Sequence, residues 1–188
     1  MADRTVKKSP ATYYDIEALP PSWVGEMLDG TMYGHPRPAV GHAESQMRLG
    51  QLLSPFQVGF EGPGGWRFMM EPELHFGDDV LVPDLAAWRV ERMPAPPNPS
   101  TPYLTLAPDW VCEILSPGTR GIDLRRKLPR YLEVGVGFAW ILDPLDQTVE
   151  ALVAEDGAWK RSAVVEGART EALAPFVEVP LNLGRLWS

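Results

Sequence analysis

The sequence has one cysteine, Cys112, and three histidines in 188 residues. A single thiol excludes an internal disulfide and any zinc centre built on cysteines. No apolar run approaches the roughly 20 residues that a membrane-spanning helix needs. No apolar signal region follows the charged start MADRTVKKSP, so a cytoplasmic protein without membrane contact is expected. An excess of positive charge is also missing: 17 Lys and Arg stand against 25 Asp and Glu, for a formal net charge of −8. The chain as a whole therefore does not attract nucleic acid, and any such contact has to be local. Neither a GxxxxGK[ST] phosphate loop nor a GxSxG nucleophile elbow is present.

What is present suits one domain with a real core. Residues 1–11 read as a frayed leader. Thr12 followed by Asp15 has the pattern of a helix N-cap, predicting a short helix that stops at Pro20-Pro21. Asp29-Gly30, between the short apolar runs of GEMLDGTMYG, signals a two-residue hairpin. Val40, Ala43, Met47, Leu49, Leu52 and Leu53 recur at spacings near three and four, which predicts a helix over about 39–54 closed by Ser54-Pro55. WRFMMEPELHF and DVLVPDLAAWR are two β-rich runs separated by Gly77-Asp78, and the prolines of ERMPAPPNPSTP make that stretch a surface loop. DWVCEILS predicts a third strand and GIDLRRKLPRYLEVGVG a helix ended by Gly135 and Gly137. FAWILD is a further strand, and TVEALVAED and AWKRSAVVEG form an antiparallel pair about Asp156-Gly157. The order is helix, three strands, helix, strand, with strands added at both ends. It points to an α/β fold: a mixed β-sheet core flanked by helices, not a doubly wound nucleotide fold.

Glu113 lies inside the most apolar of these strands, where a carboxylate has to be paired, neutral or bound to a metal. Asp84, which follows Val80, Leu81, Val82 and Pro83 near the middle of an apolar run, precedes it by 29 residues. If the proline-rich loop joins neighbouring strands, the two acids converge on one sheet edge. Two carboxylates about 4 Å apart repel strongly at low effective dielectric, and a divalent cation relieves the conflict. Oxygen ligands completed by water suit Mg²⁺ or Mn²⁺, which lower the pKa of a bound water and offset charge on a phosphate. The residue two beyond Glu113 on the same strand face is Leu115, so that strand supplies no cation. Read without further context, Asp84 could equally cap a turn, and Glu113 could pair with a basic residue of the next helix.

The blocks VPDLAAW and PDWVCEILSPGTRGIDLRRKLPRYLEVGVGFAWILDP resemble the Uma-type family, a large bacterial group of restriction-endonuclease-like proteins with the PD-(D/E)xK nuclease fold. GEMLDGTMYG is similar to that family's amino-terminal hairpin, GHAESQMRLGQLL to its first helix and FVEVPLNLGRLW to its closing segment. The resemblance implies a restriction-endonuclease-like core with additional antiparallel strands. It implies a metal-dependent endonuclease for DNA, in which Asp84, Glu113 and the backbone carbonyl of Ile114 hold Mg²⁺ or Mn²⁺. The lysine of the third strand has moved to the following helix in that family, which implicates Lys127, with Tyr131 one turn further on the same face. The Lys127-to-Tyr131 spacing also resembles the glutamine-to-tyrosine helix motif of recombination nucleases. Pro129 departs from a regular helix, because it removes one backbone hydrogen bond and can turn the aim of Lys127.

Other residues carry weaker signals. Arg120, Arg125, Arg126 and Arg130 could supply the local basic patch for a phosphate backbone or simply form a solvated face. Asp123 suits the first turn of its helix, where the dipole favours an acid. His42 and Glu44 form an H-x-E triplet, but the cysteine pair of zinc deaminases is absent, so these residues are candidates only for lining a cleft. Glu26, where the resembled family also has glutamate, and Glu71 are further cleft candidates. The competing function is a catalytically silent nuclease fold acting as a nucleic-acid-binding or assembly module. A homodimer is expected, since nucleases that cut both strands often act in pairs.

Overall fold

The computed structural model describes residues 5–37 and 39–187. It opens with an edge strand β1 (Val6–Lys8) and a short helix α1 (Tyr13–Glu17). Residues 6–8, expected to belong to a frayed leader, instead pair in register with Gly34, Tyr33 and Met32, while residues 1–4 lie outside the described residues. The Thr12 amide donates to the Asp15 carboxylate at 2.9 Å, as the cap pattern predicts. The hairpin β2 (Trp23–Leu28) to β3 (Thr31–Pro36) turns through Asp29 and Gly30, both at positive φ (52° and 66°). That backbone matches the right-handed twist of the flanking strands.

Helix α2 (Val40–Leu52) has the predicted extent and a different buried face. Val40 and Met47 are exposed, whereas Ser45 and Gln46 are buried beside Leu49 and Leu52. The apolar spacing misplaces the face because α2 packs on a polar partner: the Gln46 amide donates to the Asp84 carbonyl, while the buried Ser45 hydroxyl is satisfied within the helix by the Gly41 carbonyl.

The two β-rich runs each break into two strands that belong to different sheets. β4 (Trp66–Met70) and β7 (Leu85–Arg89) pair with each other, as do β5 (Leu74–Phe76) and β6 (Asp79–Leu81). This long hairpin turns at Gly77-Asp78, with Gly77 at φ 68°. It changes sheet where Glu71 takes a positive φ of 45° before Pro72 on one arm, and at Pro83 on the other. Proline has no amide to give the ladder, so both arms leave the pairing at the same level. Asp84 lies at that break.

A six-stranded mixed sheet forms the core, in the order β11-β10-β9-β8-β7-β4, where β8 is Trp110–Ile114, β9 Phe138–Asp143, β10 Thr148–Glu155 and β11 Ala158–Glu166. All neighbours are antiparallel except β8 and β9, and a parallel pair needs a crossover. The crossover is helical: α3 (Arg120–Ile122), a π turn (Asp123–Lys127) and α4 (Leu128–Glu133). A second sheet has the order β1-β3-β2-β6-β5, and β12 (Thr170–Leu173) pairs with β13 (Phe176–Asn182).

Every residue of β8 is buried, because both of its faces are covered. Trp110, Cys112 and Ile114 join one cluster with Leu49, Leu53, Phe56, Trp140 and Phe176. The Phe176 ring lies 5.0 to 5.5 Å from those of Trp66, Trp110 and Trp140. Val111 and Leu115 point to the opposite face, under Leu128 and Tyr131. The period of two puts Glu113 on that helix-covered face.

The expected single helix contains a wide turn. The Leu128 amide bonds the Asp123 carbonyl five residues back, immediately ahead of Pro129. Proline cannot donate into the helix ladder, and the extra residue of the π turn absorbs that interruption. The helix ends as its glycine predicts: Gly135 sits at φ 89°, its amide bonds Leu132, and the Val136 amide bonds the Tyr131 carbonyl. Gly135→Ala forces a Cβ into the left-handed region and is expected to cost about 1–2 kcal/mol in urea unfolding. An unchanged midpoint would contradict this account of the cap.

Candidate functional site

The sheet break and the helical crossover bring six acidic or basic side chains together. The register of β7 on β8 pairs Leu85 with Cys112, and continued by one residue it sets Asp84 opposite Glu113. Asp84 Oδ1 lies 2.7 Å from His42 Nε2, and Oδ2 accepts the Ile114 amide at 2.6 Å. Its own carbonyl accepts from Gln46 at 2.7 Å and from the Glu71 amide at 3.1 Å. Asp84 is thus fixed from α2, β8 and the strand break together. With 14% of its side chain exposed it is the accessible carboxylate of the group.

Glu113 is buried, and both of its oxygens are engaged. The Tyr131 hydroxyl donates to Oε1 at 2.6 Å, and Lys127 Nζ stands 3.0 Å from each oxygen. The ammonium has three protons and three close acceptors: Glu113, Glu26 Oε1 at 2.8 Å and the Val82 carbonyl at 2.9 Å. Asp123 Oδ1 is 3.6 Å away, one turn back on the same helix. Pro129 therefore does not turn Lys127 from the acids. The wide turn before it holds the amine over the sheet.

Burial opposes a charge on Lys127, but Glu113, Glu26, Tyr131 and Asp123 outweigh it and hold the ammonium well above its ordinary pKa. Burial is also the main cause that pushes the Asp123 carboxyl up to about 7, against the pull of Lys127. At His42 burial works against protonation, and the hydrogen bond and charge of Asp84 prevail and raise its pKa. Four carboxyl groups, those of Glu26, Asp84, Glu113 and Asp123, face one ammonium and one imidazole. The cluster is rich in oxygen donors and short of positive charge.

The family model described as "Putative restriction endonuclease", Uma2, matches residues 10–184. The chain belongs to the Uma2 family. Among solved structures, a protein titled a putative nuclease belonging to DUF820, from Anabaena variabilis, is similar in fold. The match has a TM-score of 0.71 and 24% identity over 95% of this chain and 98% of that one. No curated protein matches the chain. Family membership makes this Uma2 protein restriction-endonuclease-like, and the solved structure shares its mixed α/β fold. No helix among the described residues is long and apolar enough to cross a membrane.

The remaining candidates separate clearly in this Uma2 protein. Glu26 belongs to the cluster, at Lys127. Glu71 borders it through its amide and has its carboxylate on Arg37 at 3.2 Å. Glu44 is a correction: it is exposed and paired with Arg48 at 2.6 Å, because residues two apart on a helix face opposite ways. Arg125 and Arg126 are exposed, with Arg126 at 3.6 Å from Asp29. Arg120 and Arg130 do not complete a free basic patch. Arg120 is bonded to Asp143, and Arg130 to Asp79 at 2.7 Å and Glu133 at 3.1 Å. Two site residues were underrated or missed in sequence. Asp123 lies four residues before Lys127 and Gln46 four after His42, and that spacing is the signal that could have found them.

Among the described residues, no three His, Cys, Asp or Glu side chains gather as a metal-binding group. Asp84 and Glu113 could still hold a hard cation with one backbone oxygen. Ile114 gives its amide to Asp84, and a strand residue turns its carbonyl to the same side as its amide. Two carboxylates and a carbonyl, all oxygen and completed by water, are the sparse set that Mg²⁺ accepts.

Lys127→Ala leaves Glu26 and Glu113 buried without their cation, and is expected to cost about 3–5 kcal/mol in urea unfolding at neutral pH. A loss under about 1 kcal/mol would contradict the pairing. Arg120→Ala tests a second pair. Burial raises the Asp143 carboxyl, but Arg120 and the Asp146 and Leu145 amides outweigh it and hold it below its ordinary value. A depressed pKa stabilises the fold above the unfolded value of about 4, and that contribution disappears as pH falls through the folded value. The stability gap between Arg120→Ala and wild type should therefore narrow as pH is lowered below about 4. A gap independent of pH would contradict it.

Proposed function

We propose that this protein is a metal-dependent endonuclease that hydrolyses phosphodiester bonds in DNA. The observation that carries the reading is the convergence of Asp84, Glu113 and Lys127 at the strand break beside β7 and β8, with the lysine delivered from the crossover helix. Asp84, Glu113 and the Ile114 carbonyl would hold Mg²⁺ or Mn²⁺. When bound, such an ion offsets phosphate charge and makes a bound water a better nucleophile near neutral pH.

The chain's own residues do the rest. Tyr131 and Lys127 fix the orientation of Glu113, and Ile114 and His42 fix Asp84. Lys127 keeps a positive charge where negative charge grows as water adds to phosphorus and the phosphorus–oxygen ester bond breaks. Arg125 and Arg126, exposed on the crossover helix, are the arginines placed to meet a phosphate backbone. One such site cuts one strand, so duplex cleavage calls for two copies, and we read the active form as a homodimer.

One observation favours a silent binding or assembly module. Both oxygens of Glu113 are already engaged, so a cation has to share them with Lys127 and Tyr131. Supercoiled plasmid separates the readings. With Mg²⁺ or Mn²⁺ the wild type is expected to nick it, and Asp84→Asn to do so roughly 100-fold more slowly or not at all. Equal nicking by both proteins, or nicking that survives EDTA, would remove the proposed chemistry. Binding without nicking would favour the silent module.

A further inference from the structure

Glu26 comes from β2, in the other sheet, and reaches the site across the sheet break. Its Oε1 accepts the Val82 amide at 2.8 Å and lies 2.8 Å from Lys127 Nζ. Lys127 Nζ in turn donates to the Val82 carbonyl at 2.9 Å. Both polar groups of Val82 are thereby held by Glu26 and Lys127, two residues before Asp84. The second oxygen of Glu26 faces His35 Nε2 at 3.9 Å. Only 2% of the Glu26 side chain is exposed, so it does not meet solvent or a nucleic acid directly.

We propose that Glu26 is a positioning residue for the nuclease site: one carboxylate oxygen sets both the Lys127 ammonium and the Val82-Pro83-Asp84 segment that carries the accessible acid. The inference rests on the nuclease reading for its kinetic consequence, and on geometry alone for its structural one. An ordinary interior ion pair would need only the Glu26–Lys127 contact. Here the same oxygen also takes a backbone amide in the strand break, so the lysine and Asp84 are held at a fixed separation. Pre-set distances of this kind govern rate more than substrate binding, because the reacting groups have to be aligned only in the transition state.

The test compares wild type, Glu26→Gln, Lys127→Ala and the double variant in plasmid nicking with Mn²⁺, alongside ¹H–¹⁵N spectra of the lysine ammonium groups. Glu26→Gln keeps an oxygen for the Val82 amide and loses the charge that holds the ammonium. It is expected to lower kcat roughly 10- to 100-fold with KM little changed. In the Lys127→Ala background it should lower kcat no further, since a residue acting through Lys127 has nothing left to act on. The Lys127 ammonium signal should shift or broaden in Glu26→Gln while the backbone amide spectrum stays folded. An unchanged kcat in Glu26→Gln, a multiplicative loss in the double variant, or an unmoved ammonium signal would overturn the proposal. If Glu26→Gln does not fold, Glu26→Asp takes its place. It keeps the charge but withdraws the oxygen from both Nζ and the Val82 amide, so a lowered kcat with a moved ammonium signal supports the proposal and the absence of either overturns it. If wild type does not nick at all, the nuclease reading falls by itself, and the ammonium signal alone decides whether Glu26 positions the lysine.

Discussion

A single buried ammonium holds this site together. Lys127 enters the interior among Glu26, Glu113 and Asp123, and each of its protons finds an acceptor. Burying a charge without partners is costly, and burying carboxylates without a cation is equally so. The lysine and its acids therefore have to be assembled together or not at all. This mutual requirement ties together the side chains of three parts of the chain: the amino-terminal hairpin, strand β8 and the crossover helix.

The break in the long hairpin makes that assembly reachable. Pro72 and Pro83 end the pairing of both arms at one level, and the chain passes from one sheet to the other there. Backbone groups at such a break lack ladder partners and need others. The Val82 amide and carbonyl are taken by Glu26 and Lys127, and the Asp84 carbonyl by Gln46. The polar side chains of the site thus satisfy the strand break that places them. The geometry of the candidate site and the local structure share the same hydrogen bonds.

Much of the fold was legible from local chemistry. Asp29-Gly30 and Gly77-Asp78 mark turns, Gly135 marks a helix end, and β8, apolar but for Glu113, reads as a buried strand. The meeting of Asp84 and Glu113 followed from strands joined by a proline-rich loop. What failed to show were features set by tertiary contacts. Helix α2 buries Gln46 because it faces the polar strand break, and Ser45 is buried with its hydroxyl on its own helix; no apolar period reports either. The π turn at Asp123–Lys127 aligns Asp123 with the lysine, and only its position ahead of Pro129 hinted at it. The charge run around Lys127 hid the fact that its arginine neighbours face outward, or into other acids, while the lysine alone turns in. The resemblance pointed to Lys127, but its grip on Val82 beside Glu26 depends on a change of sheet, and Pro72 and Pro83 mark locally only that the pairing stops.

The excess of carboxyl groups over cations leaves the cluster receptive to added positive charge, and an ion shared by Asp84 and Glu113 is the centre of the functional account. Crystals soaked in Mn²⁺ and measured near the manganese absorption edge locate such an ion directly. The account predicts an anomalous peak between the Asp84 and Glu113 carboxylates, beside the Ile114 carbonyl. A map with no peak there, while Lys127 and Tyr131 keep both oxygens of Glu113, would contradict it.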